Sequence, residues 1–389
     1  MIGIDTINSI GLFMYYFDHN ASTPLASEVL AALERAQREL FGNPSSIHAA
    51  GQAARKAVEA ARAQVAGLLR CDPKEVIFTS GGTEADNLAV FGVAGHGPDG
   101  HVITTTMEHP AVLEPVRARG NFTIVPVGPH GVVDPDEIRR ALRPDTVLIS
   151  VMHANNETGA IQPLREIAAI AREAGVPLHS DGVQAATKIA TDVGELGVDL
   201  YSITGHKFNG PKGAGALYVR DGVKLNSLQL GGRHERNHRA GTENVAAIVG
   251  LGEAASLARR DVTPLRDRLE AGVLARVPDA VVNTGGAART PNTSSMRFPG
   301  LDSEALLIAL DLAGFAVSAG AACSSGAVKP SHVLTAMGLS TAEARSSIRF
   351  SVGLGNTVEQ VDLLIAAVEA AAARLRKLAP AGGLVNLQR

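Results

Sequence analysis

Residues 200–207 read LYSITGHK, and this stretch sets the expectation for the fold and the chemistry of the chain. Its apolar run predicts a buried strand, and Lys207 stands directly after that strand. A lysine at the end of a buried strand loses hydration, which lowers its pKa and makes its amine a nucleophile. The alternative is an ion-paired loop lysine. A phosphate-binding P-loop is excluded because its glycine and lysine spacing is absent.

Strand-like runs alternate with helical runs on both sides of this stretch. The predicted strands are residues 75–79, 101–106, 122–127, 146–152, 176–179, 199–204 and 214–219, and the predicted helices among them include 53–69, 85–93 and 164–174. Such alternation is typical of an α/β fold with a mostly parallel seven-stranded sheet covered on both faces. After about residue 262 the pattern changes to helices at 265–277, 304–312 and 357–378 with short extended segments, which predicts a smaller α+β domain.

Length and composition agree with two lobes. The chain has 389 residues, of which 45% are hydrophobic and 19% charged, and a chain of this length exceeds the usual size of one core. We expect an extension at 1–14, a large domain at 27–262, and a small domain built from 15–26 and 263–389. The apolar run at 7–16 is too short to span a bilayer, and Met14 is an alternative start.

Charge and cysteine content exclude several classes of protein. The net charge of −3 argues against nucleic acid or an anionic membrane as the main partner. The two cysteines, Cys71 and Cys323, are far apart and do not form a disulfide framework, so a reducing cytoplasm is expected. His234 and His238 have i, i+4 spacing but no clear third ligand, and no metal site is predicted.

Polar clusters follow five of the predicted strands. They are residues 80–83 (SGGT), 108–109 (EH), 155–157 (NNE), 181–184 (DGVQ) and 205–207 (GHK). The carboxyl ends of parallel strands share one edge of a sheet, where ligands bind. The 80–85 turn suits an anion at a helix N-terminus, although a plain capping turn would use the same residues. Asp181 could pair with a cationic ring nitrogen or cap a helix.

The order of the motifs resembles that of the class V aminotransferase family, and most closely the cysteine desulfurases of iron–sulfur cluster and nitrogenase maturation. The motifs are YFDHNASTP (16–24), FGNPSSIH (41–48), TSGGTE (79–84), EH (108–109), NNETG (155–159), GHK (205–207), RAGTEN (239–244) and ACSSG (322–326). The resemblance covers the chain from Tyr16 to about Glu359. It implies the fold type I of pyridoxal 5′-phosphate (PLP) enzymes and a homodimer.

The resemblance also assigns roles to single residues. Lys207 would bind PLP covalently and move protons, Asp181 would face the ring nitrogen, Gln184 the ring hydroxyl, and His109 would stack on the ring and assist proton transfer. The phosphate would be bound by Gly82, Thr83, Thr204, His206 and, from the second subunit, Thr242. Asn156 and Arg349 would bind the substrate carboxylate, for which a guanidinium fork is well suited.

Cys323 decides the expected reaction. It stands among small residues (318–327, SAGAACSSGA), which would let a thiolate reach into a site and move out again. It also lies where cysteine desulfurases keep their sulfur acceptor. Cys71, after an apolar helix end, is typical of a small buried hydrophobe instead. The expected activity converts L-cysteine to L-alanine, leaves a persulfide on Cys323, and supplies sulfur to a scaffold or thiolation protein.

Some positions depart from the family pattern, and other functions stay open. Asn237 and His238 replace a usual glycine and basic residue, and Lys329 replaces an acidic one, which could change the acceptor. Asn tolerates positive φ, so the turn is expected to survive. A selenocysteine lyase or related β-eliminating enzyme would share every cofactor residue. A sulfur-relay or scaffold-binding protein without catalysis is opposed by the presence of both Lys207 and Cys323.

Overall fold

The structure, a computed structural model, describes residues 14–257, 260–320 and 330–378. The expected N-terminal extension lies outside the described residues except for Met14. Cys323 and Lys329 also lie outside them, as does the chain after Leu378. Within these ranges, no helix is both long and apolar enough to cross a membrane.

The strands and helices alternate along the chain. The strands are β1 (Tyr15–Tyr16), β2 (Val76–Thr79), β3 (His101–Thr105), β4 (Phe122–Val125), β5 (Thr146–Ser150), β6 (Leu178–Asp181), β7 (Leu200–Thr204), β8 (Gly215–Val219), β9 (Val281–Val282), β10 (Thr293–Arg297), β11 (Phe315–Ala316) and β12 (Ser347–Ser351). The helices are α1 (Ser27–Glu39), α2 (Ala49–Leu69), α3 (Gly82–Ala94), α4 (Pro110–Arg119), α5 (Pro135–Ala141), α6 (Leu164–Ala174), α7 (Val193–Leu196), α8 (Val245–Ser256), α9 (Thr263–Arg276), α10 (Ser303–Leu312), α11 (His332–Ala336), α12 (Thr341–Ala344) and α13 (Val358–Leu378).

The main sheet has seven strands in the order β2-β8-β7-β6-β5-β3-β4. β8 runs antiparallel to β2 and to β7, and the other neighbouring pairs are parallel. The prediction of a mostly parallel seven-stranded sheet is therefore confirmed. β2, β3, β5, β6 and β7 consequently end at one edge, which is where their polar clusters meet.

Consecutive side chains of the central strands enter two different cores. Ile103 and Ile149 pack into a core shared with α2, α6 and α8. The residues just before them, Val102 and Leu148, pack on the opposite face with α3 and α4. Because side chains of a strand alternate between faces, a strand buried on both faces must be apolar throughout. This explains why the strands appear in the sequence as continuous apolar runs.

A second core lies around the C-terminal strands. β12, β10 and β9 form an antiparallel sheet, and β1 pairs in parallel with β11 through Tyr15 and Phe315. Phe17 is fully buried in this core together with side chains of α9, α10 and α13. The N-terminal segment is thus packed with the C-terminal part of the chain. The exact domain limits given above stay a prediction.

Most predicted elements agree with the structure within a few residues, and α6 has the predicted bounds. The strand predicted at 176–179 is displaced, because β6 begins at Leu178 and ends at Asp181. Pro177 lacks an N–H and cannot donate to the ladder, although its carbonyl accepts from Ile149 N at 3.0 Å. Asp181 pairs with Ser202 and is the last residue of the strand.

Candidate active site

The carboxyl ends of the five strands open into one cavity of about 540 Å³. Its lining includes ten of the predicted site residues: Gly82, Thr83, His109, Asn156, Asp181, Gln184, Thr204, His206, Lys207 and Arg349. Thr242 lies elsewhere, in a groove with Phe41 and Pro44. Cys323 lies outside the described residues, although Ser318 and Gly320, which precede it, line the cavity.

Lys207 enters the cavity from a short 3-10 turn that follows β7 directly. Its Nζ donates to the carbonyl oxygens of Asn20 and Ala21 at 2.7 and 2.9 Å. Burial, and next the positive charge of Arg349, lower the pKa of Lys207 to about 8. More of this amine is therefore unprotonated near neutral pH than of an ordinary lysine, and the unprotonated amine is the form that attacks a carbonyl.

Asp181 is buried at the end of β6 and faces the same cavity. Its Oδ1 accepts from Val183 N at 2.9 Å, in a turn rather than at the start of an α-helix. Burial raises the pKa of this carboxyl, while His109 and Lys207 oppose the shift. A cationic ring nitrogen in the cavity would pair with this carboxylate and so replace the hydration that burial removes.

Two further acids lie near Asp181: Glu108, which the sequence placed in a polar cluster without a role, and Asp86, which sequence reasoning missed. Burial raises the pKa of Glu108 to about 8 and raises that of Asp86 well above its usual range. Asp86 Oδ1 lies 3.5 Å from His179 Nε2. Burial thus favours the protonated, neutral form of both acids. Their only sequence signal was their position near two strand ends.

His109 is the N-cap of α4, where its Nδ1 accepts from Ala111 N at 3.1 Å. An acceptor Nδ1 leaves the proton of the neutral ring on Nε2. Burial lowers the pKa of His109, whereas Asp181 raises it. The capping role and the cavity-facing role therefore coexist, and the ring offers the cavity a neutral N–H donor.

The N-terminus of α3 provides an anion site at the other end of the cavity. The N-cap residue of this helix is Gly81, which has no side chain to cap it; Thr83 lies in the first turn, and Thr204 and His206 line the same cavity. A Cβ at Gly82 would come within 2.8 Å of Val183 Cγ2, so only glycine fits there. Free N–H groups and the helix dipole together favour an anion such as a phosphate.

Arg349, on β12, brings a guanidinium to the cavity from the smaller core. It donates from Nη2 to Asp18 Oδ1 at 2.6 Å and from Nη1 to Asn156 O at 3.1 Å. Its Nε is buried and has no hydrogen-bond partner among the described residues. The guanidinium is thus fixed by two contacts and retains a donor for a bound carboxylate.

The loop that carries Thr242 is tied to the main sheet by a buried ion pair. Glu235 accepts from Arg62 Nη1 and Nη2 at 2.7 and 2.8 Å and from Phe78 N at 2.8 Å. Asn237 has a φ of 69°, so the expected turn with positive φ is confirmed. His234 Nδ1 accepts from Gly241 N at 3.2 Å, which gives this histidine a structural role.

Cys71 lies away from the cavity, partly buried against the main core. Burial, and next the charge of Glu75, raise the pKa of its thiol to about 12. This thiol is protonated at neutral pH and is a poor nucleophile. The sequence predicted a small buried hydrophobe here, and the side chain is partly buried.

Comparison with known proteins agrees with this geometry. The profile of the Aminotransferase class-V family matches residues 15–364. The chain is 45% identical over 378 residues to the cysteine desulfurase IscS of Dictyoglomus turgidum, which covers 94% of this chain and 96% of that protein. It is 44% identical over 378 residues to the cysteine desulfurase IscS of Methanosarcina thermophila, covering 94% and 93%.

Solved structures share the whole architecture. A NifS-like protein, 36% identical, matches with a TM-score of 0.87 over 93% of this chain and all of that chain. The NifS-like protein of Rickettsia africae, 33% identical, matches with a TM-score of 0.84 over 92% and 99%. SspA, solved in complex with cysteine and 35% identical, matches with a TM-score of 0.79 over 87% and 98%.

Proposed function

The chain belongs to the class V aminotransferase family and, within it, to the cysteine desulfurases, and on that premise we propose that it converts L-cysteine to L-alanine and leaves the sulfur on Cys323 as a persulfide. The observation that carries the proposal is the convergence of Lys207, Asp181 and Arg349 on one cavity. These residues supply an amine nucleophile, a buried carboxylate and a carboxylate-binding fork.

The cavity has the chemistry that PLP requires. Its uncapped helix suits the phosphate, with Gly82, Thr83, Thr204 and His206 around it. Asp181 would hold the ring nitrogen, Gln184 the ring hydroxyl, and His109 one face of the ring. Lys207 would make the covalent bond. Bound there, PLP supplies an electron sink for the bond changes at the substrate.

Different residues of the chain then bind the substrate and transfer its protons. Arg349 and Asn156 bind its carboxylate, which fixes the orientation of Cα. Lys207, whose pKa is lowered to about 8, takes the proton from Cα and returns one during turnover. His109 offers an N–H beside these groups and is neutral, so it can donate a hydrogen bond to them without adding a buried charge.

Sulfur transfer falls to Cys323. Its thiolate attacks the substrate sulfur, and the bond between that sulfur and Cβ breaks with its electron pair left on Cβ. Cβ then takes up a proton, the equivalent of the one that the Cys323 thiol lost, so alanine forms and Cys323 becomes the persulfide. The backbone of Ser318, five residues earlier, exchanges hydrogen bonds with that of Arg349. This pairing supports the assignment because it starts the cysteine segment beside the carboxylate-binding residue.

The proposal includes a homodimer. Thr242 lies outside the cavity of its own chain, in a groove with Phe41 and Pro44. Phe41, Ile47 and Leu230 are 81%, 95% and 84% exposed, which is unusual for apolar side chains of this size. A second copy would cover them, and Thr242 of the partner subunit would then join the phosphate site.

The destination of the sulfur is a protein partner. An iron–sulfur scaffold or a thiolation protein fits a persulfide donor, and a cytoplasmic location would keep Cys323 reduced. The same residues would accept selenocysteine, so a selenocysteine lyase is the second candidate. Alanine formation from the two amino acids, compared at equal concentration, separates these activities.

Purified protein supplied with PLP, L-cysteine and a thiol reductant tests the proposal. We expect equal amounts of alanine and sulfide. Lys207→Ala should abolish both products, whereas Lys212→Ala, at an exposed lysine five residues away, should retain them. Consumption of cysteine without alanine, or full activity in Lys207→Ala, would refute the assignment.

A further inference from the structure

Lys188 is a second lysine at the site, and the reaction described above gives it no role. It lies in the turn after β6, four residues beyond Gln184. Its Nζ donates to Gln184 Oε1 at 2.6 Å and to Asn20 Oδ1 at 3.3 Å. Both partners in the described part of the chain are amide oxygens and carry no negative charge.

This position is unfavourable for a lysine. Burial lowers the pKa of Lys188 well below its ordinary value, and the nearby cations Lys207 and Arg349 lower it further. An apolar side chain of similar length would fill the space without that cost. Perturbed groups of this kind concentrate at functional sites, which directs attention to what Lys188 does for its neighbours.

The contact with Lys188 helps to fix the orientation of the Gln184 amide. Lys188 Nζ donates to the amide, so the amide atom that faces the lysine is the oxygen. At the other end, Gln184 Nε2 donates to the main-chain oxygen of Asn20 at 2.9 Å, and that oxygen can only accept. Both contacts therefore specify the same orientation, with the NH₂ group away from Lys188.

Gln184 lines the cavity together with Asp181 and Lys207, and its NH₂ group has a second N–H besides the one that it donates to Asn20. Resting on the proposed function, in which Gln184 faces the ring hydroxyl of PLP, we propose that Lys188 is a positioning residue that keeps the Gln184 amide turned so that it donates to that ring oxygen. A reversed amide would direct its own oxygen at the ring oxygen, and two acceptors repel.

Asn20 does not depend on Lys188 in the same way. Its Oδ1 also accepts from Asn292 Nδ2 at 2.9 Å, and its Nδ2 donates to Thr293 Oγ1 and Asn156 O at 2.8 and 3.0 Å. Loss of Lys188 leaves these three contacts in place. Gln184, by contrast, loses the partner of its oxygen, so the effect of Lys188 passes through Gln184.

The test uses the full-length protein, stripped of PLP and titrated with it. Lys188→Met removes the donor, Lys188→Arg keeps it, and Lys224→Met is the control at an exposed lysine. We expect the dissociation constant of PLP to rise about tenfold in Lys188→Met and to recover largely in Lys188→Arg. Lys224→Met should match the parent protein.

The visible absorption of bound PLP gives a second readout. A ring oxygen without its donor is more basic, so the midpoint of the pH titration of this band should rise by about one unit in Lys188→Met. Lys188→Met also removes a positive charge, which raises the same midpoint. A double variant separates this charge effect from the effect that passes through Gln184. Lys188→Met in a Gln184→Leu background should add little if Lys188 acts through Gln184.

Each outcome has one meaning. Suppose that the parent protein binds PLP and that Lys188→Met has the same affinity for PLP and the same titration midpoint. This result would overturn the role of Lys188 and leave the proposed function intact. Additive effects of Lys188→Met and Gln184→Leu would overturn it as well. Parent protein that binds no PLP would overturn the proposed function together with this role. Thermal unfolding of the PLP-free variants shows whether a loss of affinity for PLP comes from misfolding. Lys188→Arg is the folded variant with which the unfolding of Lys188→Met is compared.

Discussion

Arg349 Nη2 donates to Asp18 Oδ1 at 2.6 Å, so a strand of the smaller core is joined to the N-terminal segment at the wall of the cavity. Asp18 is one residue beyond the fully buried Phe17, and Arg349 lies between the buried Ile348 and Phe350. Both side chains are therefore placed by the same apolar core. The ion pair fixes the guanidinium that we assign to the substrate carboxylate.

Loss of Asp18 as the partner of Arg349 should weaken substrate binding more than it slows the chemical step. In Asp18→Asn the guanidinium keeps its place in the sheet but loses a charge-assisted hydrogen bond, so we expect KM for L-cysteine to rise about tenfold and kcat to change less. Steady-state kinetics measure both constants. Asp221→Asn, at an exposed ion pair with Lys74, is the control. An unchanged KM in Asp18→Asn would show that Asp18 does not orient Arg349 for substrate.

The capture of PLP by Lys207 should depend on pH. Burial and Arg349 lower the pKa of this amine to about 8, and only the unprotonated amine is a nucleophile. The rate at which PLP-free protein takes up PLP should therefore rise with pH below about 8 and level off above it. Stopped-flow absorbance follows the reaction. A rate that continues to climb to the range of an ordinary exposed lysine would contradict the lowered pKa.

Gly320 should affect turnover without affecting the cofactor. It has a φ of 86°, and a Cβ there would come within 2.8 Å of Glu157 Oε2, which also accepts from Ser331 Oγ at 2.5 Å. Glu157 thus contacts residues on both sides of the segment that carries Cys323. Gly320→Ala should lower kcat about tenfold and leave the affinity for PLP unchanged.

Gly338→Ala provides the matched control for Gly320→Ala. Gly338 also has a positive φ, of 91°, but among the described residues no atom lies within 4 Å of a Cβ at this position. The two variants share the backbone strain and differ in the contact with Glu157. Equal losses of kcat in both would show that strain alone explains the effect of Gly320→Ala.

Arg119 should be a determinant of stability. It is buried at the end of α4 and donates to the main-chain oxygens of residues 94, 95, 97, 99 and 100 at distances from 2.5 to 3.1 Å. Arg119→Lys leaves several of these acceptors unsatisfied, so the free energy of unfolding should fall by about 3 kcal/mol. Thermal and urea unfolding measure the change. Arg117→Lys, at an exposed position on the same helix, should unfold like the parent, and similar behaviour of both variants would refute the role of Arg119.

The sequence was sufficient to predict the seven-stranded sheet and the polar residues at its strand ends. Ile103 and Val102 belong to opposite cores, and a strand buried on both faces is apolar throughout, so the pattern was readable without a structure. Parallel direction then placed Lys207, Asp181 and His109 at one edge. The position of β6 was less predictable: the strand begins at Leu178, directly after Pro177, which has no N–H to donate to the ladder.

The residues that sequence reasoning missed act through contacts between distant segments. Asp18 lies in a quoted motif, yet nothing local shows that its partner is Arg349, 331 positions away. Lys188 was spaced i, i+4 from Gln184, but that spacing is common on ordinary turns and helices. Its lowered pKa and its hydrogen bonds to amide oxygens depend on tertiary packing, which brings Asn20 of the N-terminal segment to its Nζ.

The persulfide on Cys323 tests the central claim most directly. Protein loaded with PLP is mixed with one equivalent of L-cysteine without reductant, and the masses of the peptides that contain Cys323 and Cys71 are measured together with free alanine. We expect one added sulfur on the Cys323 peptide and an equal amount of alanine, and Cys71→Ser should behave like the parent. Cys323→Ser should still bind PLP but release no alanine. Full alanine production by Cys323→Ser, or sulfur found on Cys71 alone, would contradict the account.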